Sequence, residues 1–145
     1  MTAREYLEQA ITLDDEIDSK ILMREQLWAL ATKMTSSLKK GSEIHSRNDH
    51  QREEIIAKMV DLEREINDDV DRLVDLKREM MEAIRMVPDA ECRVFLEKRF
   101  LGKMRAKDIA NERHYNENWA MTEQRKALGM IEPILRKKGI IDQDF

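Results

Sequence analysis

From Ala3 to Leu38 apolar residues return every three or four positions, at Leu7, Ala10, Ile17, Ile21, Trp28, Ala31 and Leu38, with Asp14, Arg24 and Thr35 interrupting the same seam. A second seam runs from Ile55 to Val87 through Met59, Leu62, Ile66, Leu73, Leu76, Met80 and Ala83, and it is interrupted at Asp69. Neither stretch contains Gly or Pro. Heptad spacing sustained over many turns predicts two coiled-coil helices, each about 50 Å long. The intervening residues, about 39–53, hold turn formers and little apolar content, and read as a loop that reverses the chain. With that reversal Leu7 faces Val87, Ala10 faces Ala83, Ile21 faces Leu73, Trp28 faces Ile66 and Ala31 faces Leu62. The same register sets Arg24 opposite Asp69, a basic interruption meeting an acidic one, which fixes alignment more than it adds stability.

Each helix also carries a second apolar stripe, Tyr6, Leu13, Leu27 and Met34 on the first and Ile56, Val70, Val74, Met81 and Ile84 on the second. One hairpin cannot cover both faces. The pattern therefore predicts self-association, as a homodimer with a four-helix arrangement, or packing against the C-terminal part of the chain.

Val87-Pro88-Asp89 marks a boundary, because proline cannot continue the second helix and Asp89 suits the N-cap of a new one. That helix runs through Phe95, Leu96 and Phe100 to Gly102. A helix over Ala106–Arg113, a turn at His114-Tyr115-Asn116 and a helix from about Glu117 to Leu128 follow, and Pro133 opens a last short turn ending at Gly139. The small Ala110 suits a close helix crossing, Ile109 and Ala120 seal the pair, and Tyr115 is placed to plug the turn. This is the spacing of a helix-turn-helix. The expected architecture is all-α: a long antiparallel coiled-coil hairpin over 1–87 that oligomerises, then a small helix-turn-helix head over 88–145.

Composition agrees, with 39% charged residues, 5% aromatic residues, four Gly and two Pro. The net charge of −4 speaks against nucleic acid until the chain is divided at Pro88. Residues 1–88 carry 14 Lys/Arg against 20 Asp/Glu, whereas residues 89–145 carry 12 against 10. An acidic scaffold thus bears a more basic unit. The single cysteine, Cys92, has no internal disulfide partner, no apolar signal core opens the chain, and no run approaches a membrane span. His45 and His50 with Glu43 and Asp49 lack metal-ligand spacing and read as solvated polar residues. Cys92 reads as structural rather than nucleophilic, and no glycine-rich phosphate loop occurs. The expectation is a protein without enzymatic activity, cofactor or metal.

Arg99-Phe100-Leu101, Gly102-Lys103-Met104 and Asp108-Ile109-Ala110 resemble region 4 of bacterial sigma factors, where Arg-Tyr-Leu precedes the motif and Glu-Ile-Ala lies within it. Glu5-Tyr6-Leu7, Ile17-Asp18-Ser19-Lys20, Ala31-Thr32, Leu62-Glu63 and residues 71–79 resemble a family of phage and prophage proteins of Gram-positive bacteria that carry this head behind a helical half. The resemblance implies a regulator of phage late or prophage transcription in the bacterial cytoplasm. It would bind double-stranded DNA through the second helix of the motif, with RNA polymerase as a further partner. On that helix Glu117, Asn118, Met121, Thr122 and Arg125 lie on the side opposite Ala120, Gln124 and Ala127, with Asn118 and Arg125 suited to read base edges; Asn116 joins this DNA-binding set, and Lys103, Arg105, Lys107, Lys126 and the run Arg136-Lys137-Lys138 are placed to face phosphates. The chain departs from the pattern at His114, in place of the turn glycine, at Arg105, in place of a Ser or Thr cap, and at Arg113 and Glu123, where apolar residues are usual. These departures suit the competing reading, an oligomeric assembly or adaptor protein whose head binds polymerase or a packaging component.

Overall fold

The computed structural model describes residues 1–37 and 42–142, without the side chains of 35–46 and 48, and every regular element among them is helical. The helices are α1 (Ala3–Ser37), α2 (Ser42–Arg85), α3 (Ala90–Leu96, continued by a π-helical turn over Glu97–Leu101), α4 (Ala106–Glu112) and α5 (Glu117–Lys137). α2 begins at Ser42, so residues 42–53 of the expected loop are helical, while 38–41 lie outside the described residues. The reason is local. Past Gly41 the segment holds no Gly or Pro, and its Glu, Gln and Arg residues are good helix formers despite their polarity.

The chain forms two compact units, Asp14–Arg72 and Met1–Leu13 with everything from Leu73 onward. In the Asp14–Arg72 unit α1 and α2 run antiparallel. Lys20 Nζ lies 2.6 Å from Asp69 Oδ2 and 3.8 Å from Glu65 Oε2, and Arg24 Nη1 lies 3.5 Å from Glu63 Oε1. Asp69, only 7% exposed, is thus paired with Lys20 and not with Arg24, one helical turn away from the expected register. A slide of one turn keeps apolar on apolar and exchanges one cation for another, so the heptad pattern alone fits both registers. Ile17, Ala31, Leu62 and Ile66 are buried as the seams predict, but Trp28 is 65% exposed and Leu27 takes the inward place. Every seam position from Ile55 on α2 to Val87 just past its end is buried or half-buried, whereas Ile56, Val70, Val74 and Met81 of the second stripe are exposed.

The other unit has a core in which Tyr6, Leu7 and Ala10 of α1 meet Met80 and Ile84 of α2, Val87 just beyond its end, and Phe95, Phe100, Ile109, Ile131 and Leu135 of α3–α5. Packing on the C-terminal helices thus covers Tyr6 and Ile84 of the second stripes. Tyr6 donates its hydroxyl to Glu79 at 2.5 Å, and burial, with the Glu79 bond and charge, holds the phenol protonated far above its ordinary range. Asp89 caps α3 as expected, accepting from the Glu91 and Cys92 N–H groups at 2.9 and 3.2 Å. Arg93 then donates to the Val87 carbonyl at 2.6 Å and closes the end of α2.

Two helix ends explain the glycines. α3 stops at Gly102, where a Cβ would lie 2.9 Å from the Lys98 carbonyl oxygen, so only glycine fits against the widened π-turn. Gly139, at φ 75, ends α5, with its N–H on the Arg136 carbonyl and that of Ile140 on Leu135, each at 3.0 Å. Pro133 does not open a new turn, because α5 runs through it. Ala127, Ile131 and Leu135 keep the buried face in phase, while Pro133 and Gly129, four residues before it, are exposed, so the carbonyl that proline leaves without its helical bond lies on the solvent side.

Candidate nucleic-acid interface

α4 and α5 are joined by four residues whose geometry is set by a left-handed cap. His114 stands at φ 62, its N–H donates to the Asn111 carbonyl at 3.1 Å, and the Tyr115 N–H donates to the Ala110 carbonyl at 2.8 Å. Asn116 then caps α5, its Oδ1 accepting from the Trp119 N–H at 3.0 Å. Ile109, Ala110 and Ala120 are fully buried and bind the two helices together as their spacing predicts. Tyr115 does not plug the turn. It is 48% exposed and stacks on Trp119 at 4.6 Å, and Trp119 meets Phe95 edge-on at 6.3 Å, which makes Trp119 a packing residue. Because histidine carries a Cβ penalty at positive φ, His114→Gly is expected to stabilise the protein by about 0.5–1 kcal/mol in urea unfolding. A loss of stability would show that the imidazole makes a compensating contact.

The outward face of α5 presents Asn118, Met121, Thr122 and Arg125, all exposed, with Met121 at 62%. Thr122 returns its hydroxyl hydrogen to the Asn118 carbonyl at 3.1 Å, leaving oxygen lone pairs outward. The cationic residues divide into two sets. Arg105 holds Asp108 with two bonds of 3.0 and 3.3 Å, and Lys126 binds Asp89 at 3.0 Å, so both charges are compensated within the chain. Each pairing raises the pKa of its cation and lowers that of its carboxylate, through the hydrogen bond first. Arg136 is likewise tied to Glu132 at 3.0 Å and to the Asp142 carbonyl, while Lys137 and Lys138 are exposed. Lys107 is exposed, and Lys103 stands half-buried at φ 61 beside the end of α3.

No family model, curated protein or solved structure matches this chain. Arg4, from the first turn of α1, joins Ala106, Met121, Gln124, Arg125 and Leu128 around a cleft of about 250 Å³ beside the α5 face. Sequence spacing cannot find Arg4, since more than a hundred residues separate it from Arg125 and only the fold unites them. Arg113, at a position expected to be apolar, reaches Glu91 at 3.3 Å. Among the described residues no group of His, Cys, Asp and Glu is placed to hold a metal ion, and no helix is long and apolar enough to cross a membrane. His50 lies 3.3 Å from Glu54 on an exposed face of α2, while the side chains of Glu43 and His45 lie outside the described residues.

Glu123 stands where the pattern usually has an apolar residue, and the structure places it inward. It is 6% exposed, on the inner side of α5, and accepts from the Cys92 thiol at 3.4 Å. Burial first, then that bond and charge, push the Cys92 thiol up to about 11. At pH 8 Cys92 of the folded protein is expected to react with a disulfide reagent at least a hundredfold more slowly than in urea, with the rate rising up to about pH 11. Equal rates folded and unfolded would refute the buried thiol.

Proposed function

We propose that this protein is a sequence-specific, double-stranded DNA-binding regulator of phage or prophage transcription, with α4 and α5 acting as a sigma region 4-like helix-turn-helix. One observation carries the reading: a short helix, a four-residue capped turn and a longer helix leave Asn118, Met121, Thr122 and Arg125 on an exposed face, flanked by Lys107 and Arg4. Asn and Arg pair with adenine and guanine edges in the major groove, and a methionine side chain suits the thymine methyl group. The test is fluorescence anisotropy on a promoter-derived duplex and a scrambled one across a salt series. Binding that weakens steeply with salt and prefers one duplex supports the reading.

The second reading is an adaptor whose head binds a protein, RNA polymerase or a packaging component. The internal neutralisation of Arg105 and Lys126 and the exposed Met121 at the centre of the α5 face favour it. Salt-insensitive capture of polymerase without duplex binding would select it.

A further inference from the structure

Within the Asp14–Arg72 unit α1 and α2 enclose a groove of about 430 Å³. Its floor is apolar: Met23, Leu27 and Leu30 from α1 and Leu62 from α2, with Met23 and Leu30 still 52% and 49% exposed. Lys58 and Glu65 stand on its α2 side, two helical turns apart. We propose that a second copy of this chain covers this groove with its own, about a two-fold axis crossing both helices.

Self-complementarity singles out a second copy as the occupant. A two-fold contact is isologous, so each helix must match its own reverse. On α1, Met23 and Leu30 lie equally far from the point midway between Gln26 and Leu27, and an antiparallel contact sets Met23 of each copy on Leu30 of the other. On α2, Lys58 and Glu65 lie equally far from the point midway between Asp61 and Leu62. The same operation brings Lys58 of each copy to Glu65 of the other, giving two opposite-charge contacts. One axis serves both helices, because the Lys20–Asp69 and Arg24–Glu63 bridges fix a register in which these two midpoints are level. Every helix then runs antiparallel to its neighbours, as in a four-helix bundle. Two features hold the affinity down. The Asp61 carboxylates of the two copies meet near the axis, and Glu65 is shared with Lys20 of its own chain at 3.8 Å.

Sedimentation equilibrium of the full chain from 5 to 500 µM is the test, and the wild type is expected to dimerise within that range. Leu30→Glu is expected to remain monomeric with unchanged helicity by circular dichroism. Asp61→Asn is expected to tighten the dimer severalfold. Lys58→Glu and Glu65→Lys each place like charges at both contacts and are expected to weaken it roughly tenfold. An equimolar mixture of those two variants restores both opposite-charge contacts and is expected to associate about as well as wild type. A wild type that stays monomeric, or a mixture no stronger than its separate components, overturns the proposal. Neither outcome depends on whether α5 binds DNA.

Discussion

Replacing Phe95 with alanine is expected to remove about 3–5 kcal/mol of stability from the unit that contains it. Phe95 is 1% exposed, lies in the cluster shared by the first turns of α1, the end of α2 and α3–α5, and meets Trp119 edge-on. Truncation leaves a cavity that the surrounding helix ends cannot close, and it removes the ring supporting the Trp119–Tyr115 stack. Native proteins are stable by only about 5–15 kcal/mol, so the loss is a large fraction of the total and the urea midpoint is expected to fall accordingly. Urea unfolding followed by tryptophan fluorescence in a Trp28→Phe background isolates Trp119, since the chain has only two tryptophans. The background change itself is expected to cost under about 0.5 kcal/mol, because Trp28 is 65% exposed. A Phe95→Ala loss below 1 kcal/mol would mean that the aromatic ladder is not part of the core.

Periodicity made α2 legible from Ile55 onward, because its seam there is strictly heptad and nearly every seam position is apolar, but not over 42–53, which carry no apolar repeat. The cap at Asp89 and the stop at Gly139 were legible too, since each acts through its own backbone neighbours, whereas Asn116, read as part of the turn, is the N-cap of α5. Longer-range features were less accessible. The heptad pattern fits again after a slide of one turn, so it did not decide between Lys20 and Arg24 as the partner of Asp69. Trp28 was placed inward by its hydrophobicity although Leu27 satisfies the spacing with Ala31 and Met34. The break expected at Pro133 failed because a proline on the solvent side of a helix loses one bond that water replaces, while Ile131 and Leu135 continue to be buried. At the candidate interface the exposed α5 face follows from the burial of Ala120 and Ala127. The pairing of Lys126 with Asp89 and the arrival of Arg4 both depend on tertiary packing that local spacing does not encode.

The candidate interface orders its own variants. Arg125→Ala is expected to lower affinity for the cognate duplex by about 1–3 kcal/mol more than for a scrambled one, because a bidentate guanidinium contact to guanine distinguishes bases. Arg125 is exposed on α5, one turn beyond Met121, and no ion pair among the described residues engages it. Lys107→Ala, at the flank, is expected to weaken both duplexes alike and to reduce the salt slope by about one, and Arg4→Ala to do so by less, because Arg4 already holds Glu8 at 2.9 Å. Arg105→Ala is expected to change binding least, since its guanidinium already serves Asp108. Anisotropy titrations of the four variants on both duplexes at three salt concentrations separate these classes. Equal losses for Arg125→Ala on both duplexes would reduce Arg125 to a phosphate contact. No measurable binding by the wild type at low salt would turn the outward face of α5, with Met121 at its centre, into a surface for a protein partner.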